Sequence, residues 1–144
     1  MIRLDYPEPG FKIKLENGRH HVFDGIRKTW LLLTPEEWVR QNFIQYLIEV
    51  LRYPSSLIAI EKELMLHDIK KRFDLLVYDN QHQPWMLVEC KAPDVVLHDA
   101  ALQQVLRYNI SIPVSFLVIT NGATTYAWEK VNGQLKILDS LPSW

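Results

Sequence analysis

The sequence predicts a mixed α/β domain of the α+β kind, a central mixed sheet flanked by helices with a β-hairpin at each end. Three observations predict it. Two segments, one opening at Thr34 and one at Leu97, carry apolar residues at helical spacing. Between and after them lie four strand-like apolar or alternating runs, over 57–66, 72–78, 84–91 and 114–120. Asn17-Gly18 and Asn132-Gly133 each separate two short alternating runs, the local signature of a tight hairpin.

The 144 residues, 48% hydrophobic and 23% charged, fit one folded domain over 1–144 with a proper core. No apolar stretch approaches the length of a membrane span, and Met1-Ile2-Arg3-Leu4-Asp5 has no secretory character. Cys90 is the single cysteine, so no internal disulfide forms and a cytoplasmic protein without membrane partners is expected. The net charge of −1 argues against coating nucleic acid through bulk charge, but leaves room for a local basic strip. Lys70-Lys71-Arg72 is the candidate strip, and a solvated strand start is the equal alternative.

Each element has its own local cause. Phe11, Ile13 and Leu15 alternate with polar residues before Asn17-Gly18, and His20 to Phe23 returns, giving a hairpin over 11–23. Residues 27–33 read as a connector or short strand. Thr34 is an N-cap, Pro35 occupies N1, and Glu37 stands at the capping-box position. Val39, Phe43, Leu47, Val50 and Leu51 follow on one helical stripe, and Tyr53-Pro54 ends it. Ile58 and Ile60, then Leu64 and Leu66, alternate with Glu61 and Glu63 in the first of three successive strands. The second and third, 72–78 and 84–91, are close enough for a hairpin. The helix over 97–110 turns Leu102, Val105 and Leu106 inward, and the near-continuous apolar run 114–120 is a buried strand. A terminal hairpin over about 124–138 closes the chain, and a core over about 34–131 runs αβββαβ.

Charges interrupt these apolar runs at three positions. Asp74 lies inside the run 73–78, while Glu89 and Lys91 close the run that begins at Trp85. Burying a charge near a sheet is unfavourable unless it is paired or binds metal. Magnesium takes oxygen ligands, commonly one or two carboxylates plus waters, and Asp74 and Glu89 supply two. Lys91, two residues after Glu89, shares its strand face and can orient water, stabilise negative charge or act as a base. Cys90 alternates to the opposite face, as a buried thiol. The competing reading is an exposed hairpin with a cross-strand Lys–acid pair. Gln104 and Tyr108, at i and i+4, share one face of the second helix. Glu36 is on the inward stripe of the first helix, and Arg40 one turn on can pair with it, contact phosphate or sit in solvent. The five histidines, His20, His21, His67, His82 and His98, show no zinc spacing, and no phosphate-binding loop motif is present.

Asp followed by Glu-x-Lys on the next strand resembles the PD-(D/E)xK nuclease superfamily, whose common core is αβββαβ. Position 73 is Phe where the superfamily's name places Pro. Gln104 and Tyr108 resemble the Q-x-x-x-Y motif of its RecB-like subset. The segments Leu33-Thr34-Pro35-Glu36-Glu37-Trp38-Val39-Arg40-Gln41, Lys71-Arg72-Phe73-Asp74, Val88-Glu89-Cys90-Lys91-Ala92-Pro93, Gln104 to Tyr108-Asn109, and Thr120-Asn121-Gly122 together resemble the N-terminal nuclease domain of type I restriction enzyme R subunits in its short form. The resemblance is collinear over roughly residues 26–130. It implies a Mg²⁺ (or Mn²⁺) dependent endonuclease acting on double-stranded DNA, with Asp74, Glu89 and Lys91 at the catalytic positions. The same resemblance implies the Cys90 backbone carbonyl as a further metal ligand. Gln104, Tyr108, Glu36, Arg72 and Lys71 would then be supporting or DNA-binding residues. R subunits continue into a helicase motor, for which these 144 residues have no room. The expected alternatives are therefore a stand-alone nuclease, a nuclease subunit working with separately encoded restriction or motor subunits, or a non-catalytic nucleic-acid- or protein-binding module. A homodimer, built through Tyr126 and Trp128, would allow both strands to be cut, although core packing of these rings is the competing expectation.

Overall fold

The computed structural model describes residues 1–66 and 68–144; His67 and the side chains of Leu66 and Ile69 lie outside the described residues. Among the described residues two α-helices and nine strands form, in the order β1 (Ile13–Glu16), β2 (Arg19–Asp24), β3 (Thr29–Leu32), α1 (Pro35–Gln45), β4 (Ile58–Leu66), β5 (Ile69–Tyr78), β6 (Pro84–Cys90), α2 (Asp99–Asn109), β7 (Phe116–Thr120), β8 (Thr125–Val131) and β9 (Gln134–Ile137). A π-helical turn, Tyr46–Val50, extends α1 before Tyr53-Pro54 stops it.

Local chemistry sets the boundaries. Thr34 caps α1, its hydroxyl accepting the Glu37 N–H at 3.0 Å, and Pro35 opens the helix. Asn17 and Gly18, at φ 53° and 74°, make the left-handed turn that joins β1 to β2. Asn132 and Gly133, at 51° and 75°, do the same between β8 and β9. His98 is the N-cap of α2, its Nδ1 accepting from the Ala101 N–H at 3.3 Å.

Six strands form one mixed sheet in the order β4-β5-β6-β7-β8-β9. Only β6 and β7 run parallel, because α2 crosses over between them, and every other neighbour is antiparallel. The C-terminal hairpin is thus the edge of the main sheet. The N-terminal hairpin gains a third strand, β3, from the segment expected as connector or strand; it pairs Phe23 with Trp30 and Val22 with Leu31.

Each face of the large sheet is covered by one helix. On the α1 face, Val39, Phe43, Ile44 and Leu47 pack on Leu75, Val77, Met86, Val88, Cys90 and Val118. On the α2 face, Leu102 and Leu106 pack on Leu76, Leu87, Leu117 and Ile119. Each such side chain contributes roughly 1.5–3 kcal/mol by leaving water. Trp128 belongs to this second cluster at 7% exposure and stacks on Tyr126, so of the two expectations for these rings it is core packing that the structure bears out.

The strand alternation slips once where the site is built. Leu75 and Val77 face α1 and Leu76 faces α2, yet Phe73 also faces α2. Asp74 occupies this slip, at the end of the β5–β6 ladder.

Phe43 is fully enclosed between α1 and the sheet. Phe43→Ala is expected to lower the unfolding free energy measured in urea by about 3–5 kcal/mol. A loss below about 1 kcal/mol would contradict this packing.

Candidate active site

Three carboxylates stand abreast on three adjacent strands. Leu75 pairs with Val88, so the next position brings Asp74 opposite Glu89. Ile60 pairs with Leu75 and Lys62 with Phe73, so Glu61 falls opposite Asp74 on the other side. Glu61 itself has φ 51°, a left-handed conformation uncommon for a residue with a side chain, and a mark of local strain.

Asp74 is held from two directions. Its Oδ2 accepts the Cys90 N–H at 2.8 Å, so the carboxylate closes the β5–β6 ladder where backbone pairing ends. Its Oδ1 lies 3.4 Å from Arg40 Nη1. Arg40 is only 7% exposed and binds Glu37 through two bonds, Nε to Oε2 at 2.8 Å and Nη2 to Oε1 at 2.6 Å. Its Nη2 also sits 3.2 Å from Glu61 Oε1. Arg40 thus bridges Glu61 and Asp74, and three surrounding carboxylates outweigh burial to raise its pKa further.

This geometry corrects two expectations for α1. Arg40 is neither a surface side chain nor free for phosphate. The Glu37 carboxylate turns to Arg40 and Gln41 because a buried guanidinium needs an anion more than the helix start needs a second cap. Glu36, expected on the inward stripe, is exposed, yet its charge is near enough to interact with Asp74 and Lys91. Burial first and Asp74 second raise its pKa, while Arg40 and Lys91 lower it.

Among the described residues no guanidinium pairs with Glu89. Burial, the facing charge of Asp74 and a hydrogen bond with Asp74 push its pKa up to about 8, against an ordinary value of 4.5. Lys91 opposes that shift but does not cancel it. The Cys90 thiol between them is buried on the α1 face, with its pKa raised by burial. The peptide backbone after it continues the sheet, since the Lys91 N–H donates to the Thr120 carbonyl at 2.8 Å.

Glu89 and Lys91 open on a cleft of about 330 Å³ whose far wall is α2. Gln104, Val105, Tyr108 and Asn109 line it. The structure therefore brings Asp74, Glu89 and Lys91 to one end of the sheet and places Gln104 and Tyr108 across from Glu89 and Lys91. Tyr108 is 63% exposed, and Lys71 Nζ sits 4.1 Å above its ring and donates to its carbonyl at 3.1 Å. Arg72 is exposed and paired with Glu61 at 3.2 Å. Of the basic strip, Lys71 joins the cleft mouth, Arg72 the carboxylate row, and Lys70 pairs with Glu63.

Among the described residues, no group of three or more His, Cys, Asp and Glu side chains is arranged to hold a metal ion. Two side-chain carboxylates stand opposed at this end of the sheet, Asp74 and Glu89, and of these Glu89 lines the cleft. The residues that the sequence reading missed are Asp24, Arg27, Gln41 and Glu61, together with the buried role of Arg40. The one local signal for them was the uninterrupted polarity of Arg40-Gln41-Asn42 inside an apolar helix.

No helix among the described residues is long and apolar enough to cross a membrane. No curated protein matches the chain. The family described as Type I restriction enzyme R protein N terminus (HSDR_N) matches residues 35–142, from the first residue of α1 to beyond β9. That span contains Asp74, Glu89, Lys91 and both cleft-lining helical residues, Gln104 and Tyr108, and it covers well over half of the chain, which therefore belongs to the family of type I restriction enzyme R protein N termini.

Proposed function

We propose that this domain is a Mg²⁺- or Mn²⁺-dependent DNA endonuclease that hydrolyses phosphodiester bonds at the cleft between Glu89, Lys91 and α2. The observation that carries the proposal is the opposed pair of Asp74 and Glu89, with Glu89 pushed up to about 8 and an ammonium two residues on. The two carboxylates repel each other, and a divalent cation, if bound, would supply the positive charge that offsets this. Magnesium accepts one or two carboxylates and keeps waters in its remaining positions, so a two-carboxylate donor set fits it. Asp74, Glu89 and the Cys90 backbone carbonyl would hold it. When bound, the ion supplies a water of lowered pKa and positive charge for the phosphate.

The remaining work falls to the chain's own groups. Arg40 and the Cys90 N–H fix Asp74 so that its carboxylate does not swing when substrate arrives. Lys91 places an ammonium in the cleft, where it stabilises charge developing on the phosphoryl oxygens. Gln104 and Tyr108 offer an amide and a phenol along one helix face to the sugar–phosphate backbone, and Lys71 adds charge at the mouth. Glu36 is close enough to Asp74 for their charges to interact, which suits it to order water at the site. Family membership supports DNA as substrate and other restriction subunits as partners.

Plasmid DNA with Mg²⁺ or Mn²⁺ tests this reading. The wild-type protein is expected to nick or linearise it, and a chelator to stop it. Asp74→Asn, Glu89→Gln and Lys91→Ala are each expected to slow cleavage about 10²–10³-fold, the usual effect of losing one charge-stabilising group. Cleavage by all three at the wild-type rate would sink the assignment.

Stability without metal should follow the Glu89 proton. Its folded-state pKa is about 8 and its ordinary value 4.5, so the folded state holds the proton more tightly than the unfolded state. Its contribution is fully present below about pH 4.5 and is lost as pH rises through about 8. In chelator, the melting temperature is expected to fall between pH 5.5 and 8.5. Glu89→Gln should flatten this fall, and Mg²⁺ should raise the melting temperature more at pH 8.5 than at pH 5.5. An equal fall in Glu89→Gln would show that another group is responsible.

A further inference from the structure

The family match begins at residue 35, yet the N-terminal sheet that precedes it is wired into the site. Asp24, the last residue of β2, is fully buried. Its Oδ1 accepts the backbone N–H groups of Ile26 and Arg27, each at 2.9 Å. Its Oδ2 accepts from Arg27 Nε at 2.9 Å and from Gln41 Nε2, on α1, at 3.1 Å. The Arg27 guanidinium is thereby aimed at α1 and β4. Its Nη1 donates to Glu61 Oε2 at 3.1 Å, and its Nη2 lies 3.8 Å from Glu37 Oε1.

Glu37 and Glu61 are the same two carboxylates that hold Arg40, and Arg40 is the guanidinium on Asp74. The cluster contains three guanidiniums, Arg27, Arg40 and Arg72, and four carboxylates, Asp24, Glu37, Glu61 and Asp74. Positive charge is the scarce component, so Arg40 is divided among three anions. How firmly it stays on Asp74 depends on how far Glu37 and Glu61 are satisfied by other cations. Arg27 reaches both. Without it, Glu37 and Glu61 compete harder for Arg40, and the 3.4 Å contact to Asp74, the longest of Arg40's ion pairs, is the one that gives way.

We propose that the N-terminal sheet sets the metal affinity of the site through Arg27, which keeps Arg40 on Asp74 and so tempers the attraction of that carboxylate for a divalent ion. The inference rests on the reading of Asp74 as a metal ligand given above. Arg27 is a positioning residue, since it acts on Asp74 through Arg40.

The test is Mn²⁺ binding by calorimetry to the full chain, for the wild type, Arg27→Gln, Arg40→Gln and the double variant, each first checked for folding by circular dichroism. Arg27→Gln is expected to bind Mn²⁺ at least about two-fold more tightly, the lower limit of coupling within one ion-pair network. Simple damage to the fold would weaken binding instead. Adding Arg27→Gln to Arg40→Gln is expected to change nothing further. Unchanged or weaker binding by folded Arg27→Gln, or the same tightening in the Arg40→Gln background, overturns the proposal. Should Arg40→Gln not fold, Arg27→Gln in the wild-type background decides by the direction of its shift. A wild type that binds no Mn²⁺ overturns the metal reading itself. The relay is then judged by urea midpoints, where Arg27→Gln should lower the midpoint more beside Asp74 than beside Asp74→Asn, and equal losses overturn it.

Discussion

Like charges placed opposite one another on paired strands repel, and this sheet carries three in a row: Glu61, Asp74 and Glu89. Everything distinctive about the site follows from how that repulsion is relieved. On the Glu61 side a buried guanidinium, Arg40, is wedged between two of the three carboxylates. On the Glu89 side no guanidinium among the described residues intervenes, and Lys91 only offsets part of the shift, so the Glu89 pKa is pushed up to about 8. The row is neutralised at one end and left short of positive charge at the other.

The scaffold explains why the row can exist. Backbone pairing between β5 and β6 stops at Leu75 and Val88, and the Asp74 carboxylate takes over the next bond by accepting the Cys90 N–H. The slip in alternation at the same point lets Asp74 meet Arg40 from the α1 side while Glu89 faces the α2 side. The parallel pair β6–β7 forces a crossover, and that crossover is α2, which carries Gln104 and Tyr108 to the cleft beyond the carboxyl end of β6. Clefts beyond the carboxyl ends of parallel strands recur as binding sites for this topological reason.

Much of this was legible in the sequence because the signals are local. Thr34-Pro35 marked the start of α1, the two Asn-Gly pairs marked hairpins, and charges at 74, 89 and 91 stood out against apolar runs. Pairing of successive strands by a short turn made the approach of Asp74 to Glu89 an expectation, but the register that brings them opposite is fixed only by the structure. The ion-pair cluster was not legible, because its partners are far apart in sequence: Gln41 meets Asp24, and Arg27 and Arg40 meet residues 34 positions on. Glu37 misled because a capping-box position and a buried ion-pair position look identical until its neighbour Arg40 is known to be enclosed. The positive φ of Glu61 is equally invisible in an alternating strand, since no glycine or asparagine announces it. Trp128 showed the limit of reading edge hairpins, whose aromatic residues face either solvent or core according to a register that the sequence leaves open.

The central claim is that the opposed carboxylates of Asp74 and Glu89 hold a divalent ion. Diffraction from crystals grown with Mn²⁺ above pH 8, recorded with the anomalous signal of manganese, tests it most directly. The account predicts a manganese peak between those two side chains and beside the Cys90 backbone. Saturating Mn²⁺ with no peak there, or a peak held only by other residues, would contradict it.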